Sequence, residues 1–419
     1  MQYVAAIASR YGALAIQFLL VILVTHALPQ DMAGQYFVAF GLVATLFCIT
    51  GLGLPDGLVK TIGDQISDGK LGLIRSALWR TLLVSGLSGL FLFGLGAAVS
   101  VFFGANPVLA GLTATWCLLY GLVFVVAQCL VALRHPGLGS FFFYSSTNIF
   151  YLLTSIPYLL LARNPQLGGL LSLSLIAATL SLALALGALW RRTRQLPPSD
   201  ERAELRAAFE IGGFIAVSRL VNAAIYWVPV WAAGLLLTST DAAIMATAGR
   251  LLIGVTAVVA AVRFSVRPSI VAAAQAGDWA RIEGQGQRIA LATTTLTSIA
   301  LVGCYAIGEP ILQIFFPPEY ASSWIILIIL LIGALSEAAG GTVDEILKMT
   351  GHSIFVLLAL IWVVIFEAIL CFMASNFGLL GISSAQSFSF FLYYSLLIIF
   401  LYKKKGILIL PMTRAQRFK

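Results

Sequence analysis

Residues 353–375 read SIFVLLALIWVVIFEAILCFMAS and contain one charged side chain, Glu367, in an otherwise apolar run. A helix needs about 20 predominantly apolar residues to cross the hydrocarbon core of a bilayer. A strand of a membrane β-barrel would instead alternate apolar and polar residues over about ten positions. This stretch therefore predicts a membrane-spanning α-helix.

Eleven other stretches of the chain have the same character. Hydrophobic residues make up 60% of the 419 residues and charged residues only 10%, and the mean hydropathy is +0.99. A soluble domain carries about 25% charged residues, so this chain lacks the charge to cover itself with a water-compatible surface. We predict an all-α polytopic membrane protein with about 12 transmembrane helices, at residues 4–28, 34–58, 81–103, 108–133, 139–162, 167–189, 211–236, 242–262, 289–308, 323–347, 353–375 and 380–402.

The distribution of lysine and arginine predicts the orientation of these helices. With a cytoplasmic N-terminus, 21 of the 25 basic residues fall in cytoplasmic loops or the C-terminal tail, including Arg263 after the eighth span. Arg163 falls outside, and three arginines lie within spans. Because cytoplasmic loops carry the excess of basic residues, we expect both termini in the cytoplasm. The net charge of +8 is then a topological signal and does not indicate nucleic-acid binding.

The sequence shows no pattern for a metal, a cofactor or a nucleotide. Its five cysteines lie singly inside predicted spans, without a Cys/His cluster. The glycine-rich stretch 51–57, GLGLPDG, is followed by no Walker lysine and no dinucleotide spacing. We expect no metal and no cofactor, and we expect Pro55 to bend or end the second helix. No cleavable signal peptide is expected either, since the first span is long and contains Arg10.

A hydrophilic stretch, WRRTRQLPPSDERAELRAA at 190–208, divides six predicted spans from six others. We predict an N-terminal six-helix lobe (1–190), a cytoplasmic linker (191–208), a C-terminal six-helix lobe (209–403) and a basic tail (404–419). Because each half has an even number of spans, both halves begin on the same side of the membrane. Two parallel six-helix lobes around a central cavity are a known transporter architecture.

The two halves also resemble each other in sequence. An offset of 209 residues places Ser9-Arg10 on Ser218-Arg219 and the loop segment SDGK (67–70) on AGDW (276–279). The loops 60–80 and 267–288 both mix basic and apolar residues, which predicts helices along the cytoplasmic surface. The paired intramembrane arginines are the strongest sign of the repeat.

Several motifs resemble those of bacterial polysaccharide and O-antigen flippases, a branch of the multidrug/oligosaccharidyl-lipid/polysaccharide exporter superfamily. They are HALPQDMAGQY (26–36), GLGLPDGLVK (51–60) and the DGK loop (68–70), echoed in the second half by TSTDAAIMATAGRL (238–251) and AGDW. The resemblance implies two six-helix bundles around a central cavity and translocation of undecaprenyl-pyrophosphate-linked oligosaccharides. It also implies basic cavity residues that engage the pyrophosphate and acidic sugars.

From the resemblance we expect a flippase of the bacterial cytoplasmic (inner) membrane that serves O-antigen, capsule or exopolysaccharide biosynthesis. It would work by alternating access and would not be an enzyme. Its partners would be the polyprenyl-pyrophosphate oligosaccharide, membrane lipids, and the polysaccharide polymerase and chain-length machinery. A multidrug/cation antiporter of the same superfamily is the alternative, and a membrane-embedded glycan polymerase or ligase is a third interpretation. The short external loops and the lack of a DxD-type motif disfavour that third interpretation.

Three arginines lie within the predicted spans: Arg10, Arg219 and Arg250. A charge inside a span is costly without a partner or water, about 2.5–3.5 kcal/mol on insertion scales. The functional interpretation is that these arginines bind phosphate, which a guanidinium grips in bidentate fashion. The structural interpretation pairs Arg219 and Arg250 with Glu337 or Glu367, and lets Arg10 snorkel to the membrane surface.

The acidic and polar residues of the spans complete the candidate site. Glu337 and Glu367 are predicted to bind a coupling H+ or Na+, or to be hydrogen-bonded or arginine-paired carboxylates. Asp344 and Lys348 are predicted to form a structural i,i+4 pair. The candidates for contacts with sugar hydroxyls are Gln17, Asn222 and Tyr226, for which helix–helix hydrogen bonding is an equal explanation.

Overall fold

The structure of the chain, a computed structural model, describes residues 2–68, 71–162, 164–197, 204–265 and 267–411. In these ranges the side chains of residues 2–8, 10, 71, 258, 264, 265, 267 and 268 are outside the description. The described backbone is helical almost throughout and contains no strand, which confirms the all-α prediction. A helix satisfies every backbone hydrogen bond within its own segment, as a chain surrounded by lipid requires.

The chain divides into two compact units, Met1–Ala223 and Ala224–Lys419. The described part of the first unit contains α1 (Gln2–Ala27), α2 (Gln30–Leu46), α3 (Leu54–Ser67), α4 (Leu71–Phe102), α5 (Pro107–Ala132), α6 (Pro136–Ser140), α7 (Thr147–Leu161), α8 (Leu167–Thr193) and the first part of α9 (Arg206–Leu236). A π-helical turn, Phe141–Ser146, joins α6 to α7.

The second unit begins inside α9. Its described residues form the rest of that helix, α10 (Ser239–Ser265), α11 (Arg267–Gln275), α12 (Trp279–Phe315), α13 (Ser323–Met349), α14 (Ser353–Ala374) and α15 (Gly378–Lys405). After α15 the backbone of Leu408 is held by α12, since its N–H donates to Glu283 and its carbonyl accepts from Gln287.

Each of the twelve predicted spans coincides with a helix or with an interrupted helix. Nine helical stretches of the described chain are long and apolar enough to cross a membrane, counted by length and composition. Helices α14 and α15 form one of these stretches. The nine do not include α7, which has 15 residues, or α1, of which the apolar stretch Tyr11–Ala27 is fully described. The sequence predicts helices along the surface at 60–80 and 267–288; α11 lies within the second region, and α3 overlaps the first only at residues 60–67.

The second predicted span, 34–58, is not one continuous helix. Helix α2 ends at Leu46, a short 3-10 turn follows at Phe47–Ile49, and α3 starts only at Leu54. Between them Leu52 and Gly53 have positive φ angles of 51° and 85°. Pro55 lies in the first turn of α3, where its missing N–H costs no hydrogen bond. Pro55 therefore lies at the start of a new helix after a break. This agrees with the prediction that Pro55 bends or ends the second predicted helix.

Close packing inside each unit depends on small residues. In the first unit α3, α4, α5 and α8 share a core whose buried members include Leu58, Leu78, Leu130 and Leu189. In the second unit Gly333 of α13 faces the backbone of Ser387 in α15, so that a side chain there would collide with it. Small residues at helix contacts are typical of membrane bundles, where close backbone approach provides the packing energy.

The division between the units falls later than the hydrophilic linker at 191–208, of which residues 198–203 lie outside the described chain. The first part of α9 packs on the break before α3. A Cβ at Gly212 would collide with the carbonyl of Gly53, and one at Gly57 would collide with the carbonyl of Ala208. These contacts join the start of α9 to the first unit, and the predicted lobe boundary stays a prediction.

Gly212→Ala tests this contact, because its added methyl group has no space. Overpacking of this kind costs about 1–3 kcal/mol, so we expect a lower apparent melting temperature for the detergent-solubilised protein, followed by tryptophan fluorescence. The control is Gly213→Ala, next in the same helix, whose Cβ would have no atom within 4 Å. Equal melting temperatures for the two variants would contradict the packing described.

Candidate functional site

The described spans contain a small set of ionisable side chains, and most of them are paired within their own unit. A charge that is buried away from water requires a partner. These pairs therefore mark the places where the chain differs from a purely apolar helix bundle. The set includes Asp56, Arg219, Arg250, Arg263, Glu337 and Glu367, together with Asp344, Glu345 and Lys348 near the end of α13.

In the first unit Arg219 of α9 binds Asp56 of α3 with two hydrogen bonds. Its Nη2 donates to Oδ1 at 2.6 Å and its Nε donates to Oδ2 at 3.3 Å. Gln128 of α5 also donates to Asp56 Oδ1, at 2.7 Å. Asp56 is held at the start of α3, where a negative charge is favoured by the helix dipole. The break before α3 thus places the carboxylate between two neighbouring helices.

The Arg219 guanidinium is only partly covered. Its side chain is 35% exposed, against 4% for that of Asp56, and its Cζ lies 5.2 Å from the centre of the Phe124 ring. A guanidinium has five N–H donors, and Asp56 takes the pair on Nε and Nη2. Among the described residues the other three donors have no acceptor. The end of the fork formed by Nη1 and Nη2 remains available to an anion.

This arrangement corrects one sequence-based expectation. Arg219 does not pair with Glu337 or Glu367, and its partner Asp56 comes from the predicted end of the second span. The signal for that partner was the break motif GLGLPDG, because an interrupted helix brings a helix start and its acidic residue to membrane depth. Arg10, the repeat counterpart of Arg219, lies in α1, but its side chain is outside the described residues.

In the second unit Arg263 of α10 and Glu337 of α13 form a buried ion pair. Arg263 Nη2 donates to Glu337 Oε1, and Nη1 donates to the carbonyl of Gly341 at 3.1 Å. Both side chains are 8% exposed. The sequence-based placement of Arg263 in a cytoplasmic loop is therefore wrong. Glu337 is an arginine-paired carboxylate, one of the two alternatives that the sequence left open.

One contact in each unit agrees with the predicted repeat offset. Glu337 lies 209 residues after Gln128, and each binds a charged side chain from another helix of its own unit. Those side chains, Asp56 and Arg263, occupy repeat positions two residues apart. The two charges are of opposite sign, so an alignment of the two halves by residue type would not show that these positions correspond.

Tyr226 of α9 lies close enough to Glu337 for electrostatic interaction, as does Tyr394 of α15. The ring of Tyr226 also packs on Phe390, with centroids 5.5 Å apart. Tyr226 thus belongs to the surroundings of the Arg263–Glu337 pair, and its predicted contact with sugar stays a prediction.

The other polar candidates are not members of either ion pair. Arg250 stands over the Trp227 ring, 4.8 Å from its centroid, in a cation–π arrangement. Asn222 is exposed and donates to the carbonyl of Ser218 in its own helix at 2.8 Å, and Gln17 of α1 is partly buried. The structure does not bring Gln17 or Asn222 into either ion pair.

Glu367 of α14 is completely buried. Its exposed fraction is 0%, and neither carboxyl oxygen has a hydrogen-bond partner among the described residues. Val363 and Cys371, one helical turn away on either side, are buried and contribute no charge. Within the described chain Glu367 is therefore a buried carboxyl group without a hydrogen-bond partner.

Asp344 and Lys348 form the predicted i,i+4 pair near the end of α13, with Nζ 3.1 Å from Oδ2. This confirms their structural role in the sequence analysis. Lys348 is 29% exposed, whereas the Asp344 side chain is only 13% exposed and its Oδ1 has no hydrogen-bond partner among the described residues.

The Arg263–Glu337 pair should dominate the stability of the second unit. Removing one partner of a buried pair leaves an uncompensated charge and costs about 3–5 kcal/mol. Glu337→Gln should therefore lower the apparent melting temperature strongly, and the double change Arg263→Met with Glu337→Leu should recover most of the loss. Glu210→Gln is the matched control, because its pair with Arg206 is exposed, and it should have little effect. A Glu337→Gln protein as stable as the Glu210→Gln protein would show that the pair is not buried.

No protein-family model matches this chain, and no curated protein sequence matches it. Its fold is nevertheless shared with solved transporters. An inward-facing multidrug resistance MATE family transporter of the MOP superfamily has a TM-score of 0.71 at 14% identity, with 94% of this chain and 96% of the other covered. Lipid II flippase MurJ, in an inward closed conformation, has a TM-score of 0.68 at 15% identity, with 96% and 87% covered.

A variant of the Vibrio cholerae MATE transporter VcmN has a TM-score of 0.63 at 15% identity, with 96% of this chain and 98% of the other covered. Identities this low establish the fold alone. The chain therefore has the all-α fold found in MATE transporters and in MurJ, over nearly its whole length.

Proposed function

We propose that the chain is a flippase that translocates polyprenyl-pyrophosphate-linked oligosaccharide across the bacterial cytoplasmic membrane by alternating access. In this proposal it serves O-antigen, capsule or exopolysaccharide biosynthesis and is a transporter without enzymatic activity. The observation that carries the proposal is Arg219, a partly exposed arginine within a predicted span whose guanidinium keeps three donors without acceptors. Such a group suits an anionic cargo.

The geometry of the pair explains how Arg219 would receive a phosphate. Asp56 occupies the side of the guanidinium formed by Nε and Nη2, which fixes the plane of the fork. A phosphate oxygen pair can then bind at Nη1 and Nη2, in the bidentate geometry that arginine offers. Asp56 and Gln128 act as positioning residues, and the cargo does not have to displace them.

The shared fold supports transport of a lipid-linked cargo. One of the solved structures with this fold is described as a lipid II flippase, and the fold extends over 96% of the present chain. A cargo with a lipid tail would leave that tail in the bilayer while its polar end crosses. Membrane lipids, the polysaccharide polymerase and the chain-length machinery remain proposed partners.

Glu367 is the proposed coupling site. Burying a charged carboxylate without a partner is expensive, so its surroundings favour the neutral acid. Sodium binding would need several further oxygen ligands, and the described residues contain no group of three or more His, Cys, Asp or Glu side chains that could hold a metal ion. Of the two candidate ions we therefore propose H+. Glu337 is neutralised by Arg263 and is less suited to this role.

The alternative function, a multidrug/cation antiporter, is favoured by two specific observations. MATE transporters share the fold, and a buried acidic residue such as Glu367 would attract a cationic cargo once ionised. The two functions differ in the sign of the cargo. Export of cationic dyes that depends on Glu367, with no movement of pyrophosphate lipids, would favour the antiporter.

The first experiment concerns Arg219. Arg219→Lys keeps the charge and loses the planar fork, so translocation of an undecaprenyl-pyrophosphate oligosaccharide in proteoliposomes should fall by about tenfold or more, as expected for the loss of one charged bidentate contact. The matched control is Arg206→Lys in the same helix, whose i,i+4 pair with Glu210 is exposed.

Expression and melting temperature should stay near those of the wild type for both variants. Normal translocation by the Arg219→Lys protein would contradict the role of the planar fork. Unchanged translocation by the Arg219→Ala protein would contradict the proposal that Arg219 binds cargo.

The second experiment concerns Glu367. Glu367→Gln mimics the neutral acid permanently, so translocation should continue at a basal rate and should no longer accelerate when a proton gradient is imposed on the proteoliposomes. Cys371→Ser, one turn along α14, is the control and should respond like the wild type. A Glu367→Gln protein that still follows the proton gradient would place the coupling site elsewhere.

A further inference from the structure

Five aromatic rings cluster beside Arg219 in the first unit. Phe143 is the centre of this aromatic cluster, with ring centroids 5.1 Å from Phe47, 6.1 Å from Tyr120, 5.1 Å from Phe124 and 4.6 Å from Tyr144. Phe124 is buried at 2% exposure, whereas the other four rings are partly exposed. The cluster therefore has a buried base and an open face.

The π-helical turn at Phe141–Ser146 creates that open face. Phe142 and Ser146 point into the unit, where Ser146 Oγ bonds Ser181 Oγ at 3.0 Å. Phe143 and Tyr144 remain partly exposed between them. The turn is stabilised by Asn148, whose Nδ2 donates to the carbonyl of Tyr144 at 2.7 Å. Single π-helical turns inside helices occur frequently at functional sites.

The aromatic cluster adjoins the Arg219 guanidinium. Phe124 connects them, since its ring packs on Phe143 and lies under the Arg219 guanidinium. The Tyr144 hydroxyl is also within electrostatic range of that guanidinium. A ligand that placed an anion on Arg219 would thus place its neighbouring group on aromatic rings.

We infer that Arg219 and the aromatic cluster form one composite site, in which the guanidinium binds the pyrophosphate and Phe143 with Tyr144 packs against the first sugar. A pyranose ring has an apolar face of C–H groups, and aromatic rings pack on such faces as on other apolar groups. Binding sites commonly combine aromatic walls with a few placed polar groups. The inference rests on the proposed function, and it assigns the recognition of the sugar to the π-helical turn.

The test compares two probes on the full-length protein in detergent: undecaprenyl pyrophosphate, and the same lipid carrying one N-acetylhexosamine. The wild type should bind the sugar-bearing lipid about fivefold to tenfold more tightly than the bare lipid, a difference typical of one aromatic packing contact. Phe143→Ala should abolish that difference and leave the affinity for the bare lipid unchanged. Phe143→Tyr should retain it.

The control variant is Phe141→Ala, in the same turn, whose ring is 38% exposed and outside the cluster. Melting temperatures show whether the turn still folds. Equal weakening of both probes by Phe143→Ala, or a wild type without preference for the sugar-bearing lipid, would overturn the inference while leaving the proposed function standing. A wild type that binds neither lipid would overturn both.

Discussion

The cost of placing charge in an apolar interior is the constraint on which the described sites depend. An ionisable side chain inside a span needs a partner or water, and two of the described arginines meet that need in different ways. Arg263 and Glu337 neutralise each other with little exposure on either side. Arg219 is neutralised by Asp56 on one edge and stays partly exposed on the other. The first arrangement stabilises helix packing, and the second leaves binding capacity.

Hydropathy was sufficient to predict the helices, because the need for apolar length and internal hydrogen bonds acts on every residue of a span. The choice of partners was not predictable in the same way. Arg263 was assigned to a loop because it follows an apolar run, yet one further helical turn buries it against Glu337. Asp344 and Lys348 were predicted correctly because both members lie on one helix, four residues apart. Pairs between helices depend on tertiary packing, which a single sequence does not reveal.

The residues of the candidate site are held in place by two irregular stretches of backbone. The break between α2 and α3 brings Asp56 to the first turn of a helix, and the π-helical turn brings Phe143 to the side of Phe124. Neither feature follows from helical periodicity, since both interrupt it. The glycine and proline of GLGLPDG gave a local signal for the break. The stretch FFFYSS gave none for the π-helical turn, because its aromatic residues suit an ordinary apolar helix equally well.

The repeat explains why one unit would bind cargo while the other holds a closed ion pair. Gln128 and Glu337 lie 209 residues apart, and each binds a charged side chain of another helix of its own unit, Asp56 of α3 or Arg263 of α10. In the second unit the acid at this position neutralises the charge of the paired arginine. In the first unit glutamine is neutral and the negative charge lies on Asp56, which holds an arginine from α9 by one edge only. The two units therefore differ in both residues of this contact, and only the first leaves one edge of an arginine open.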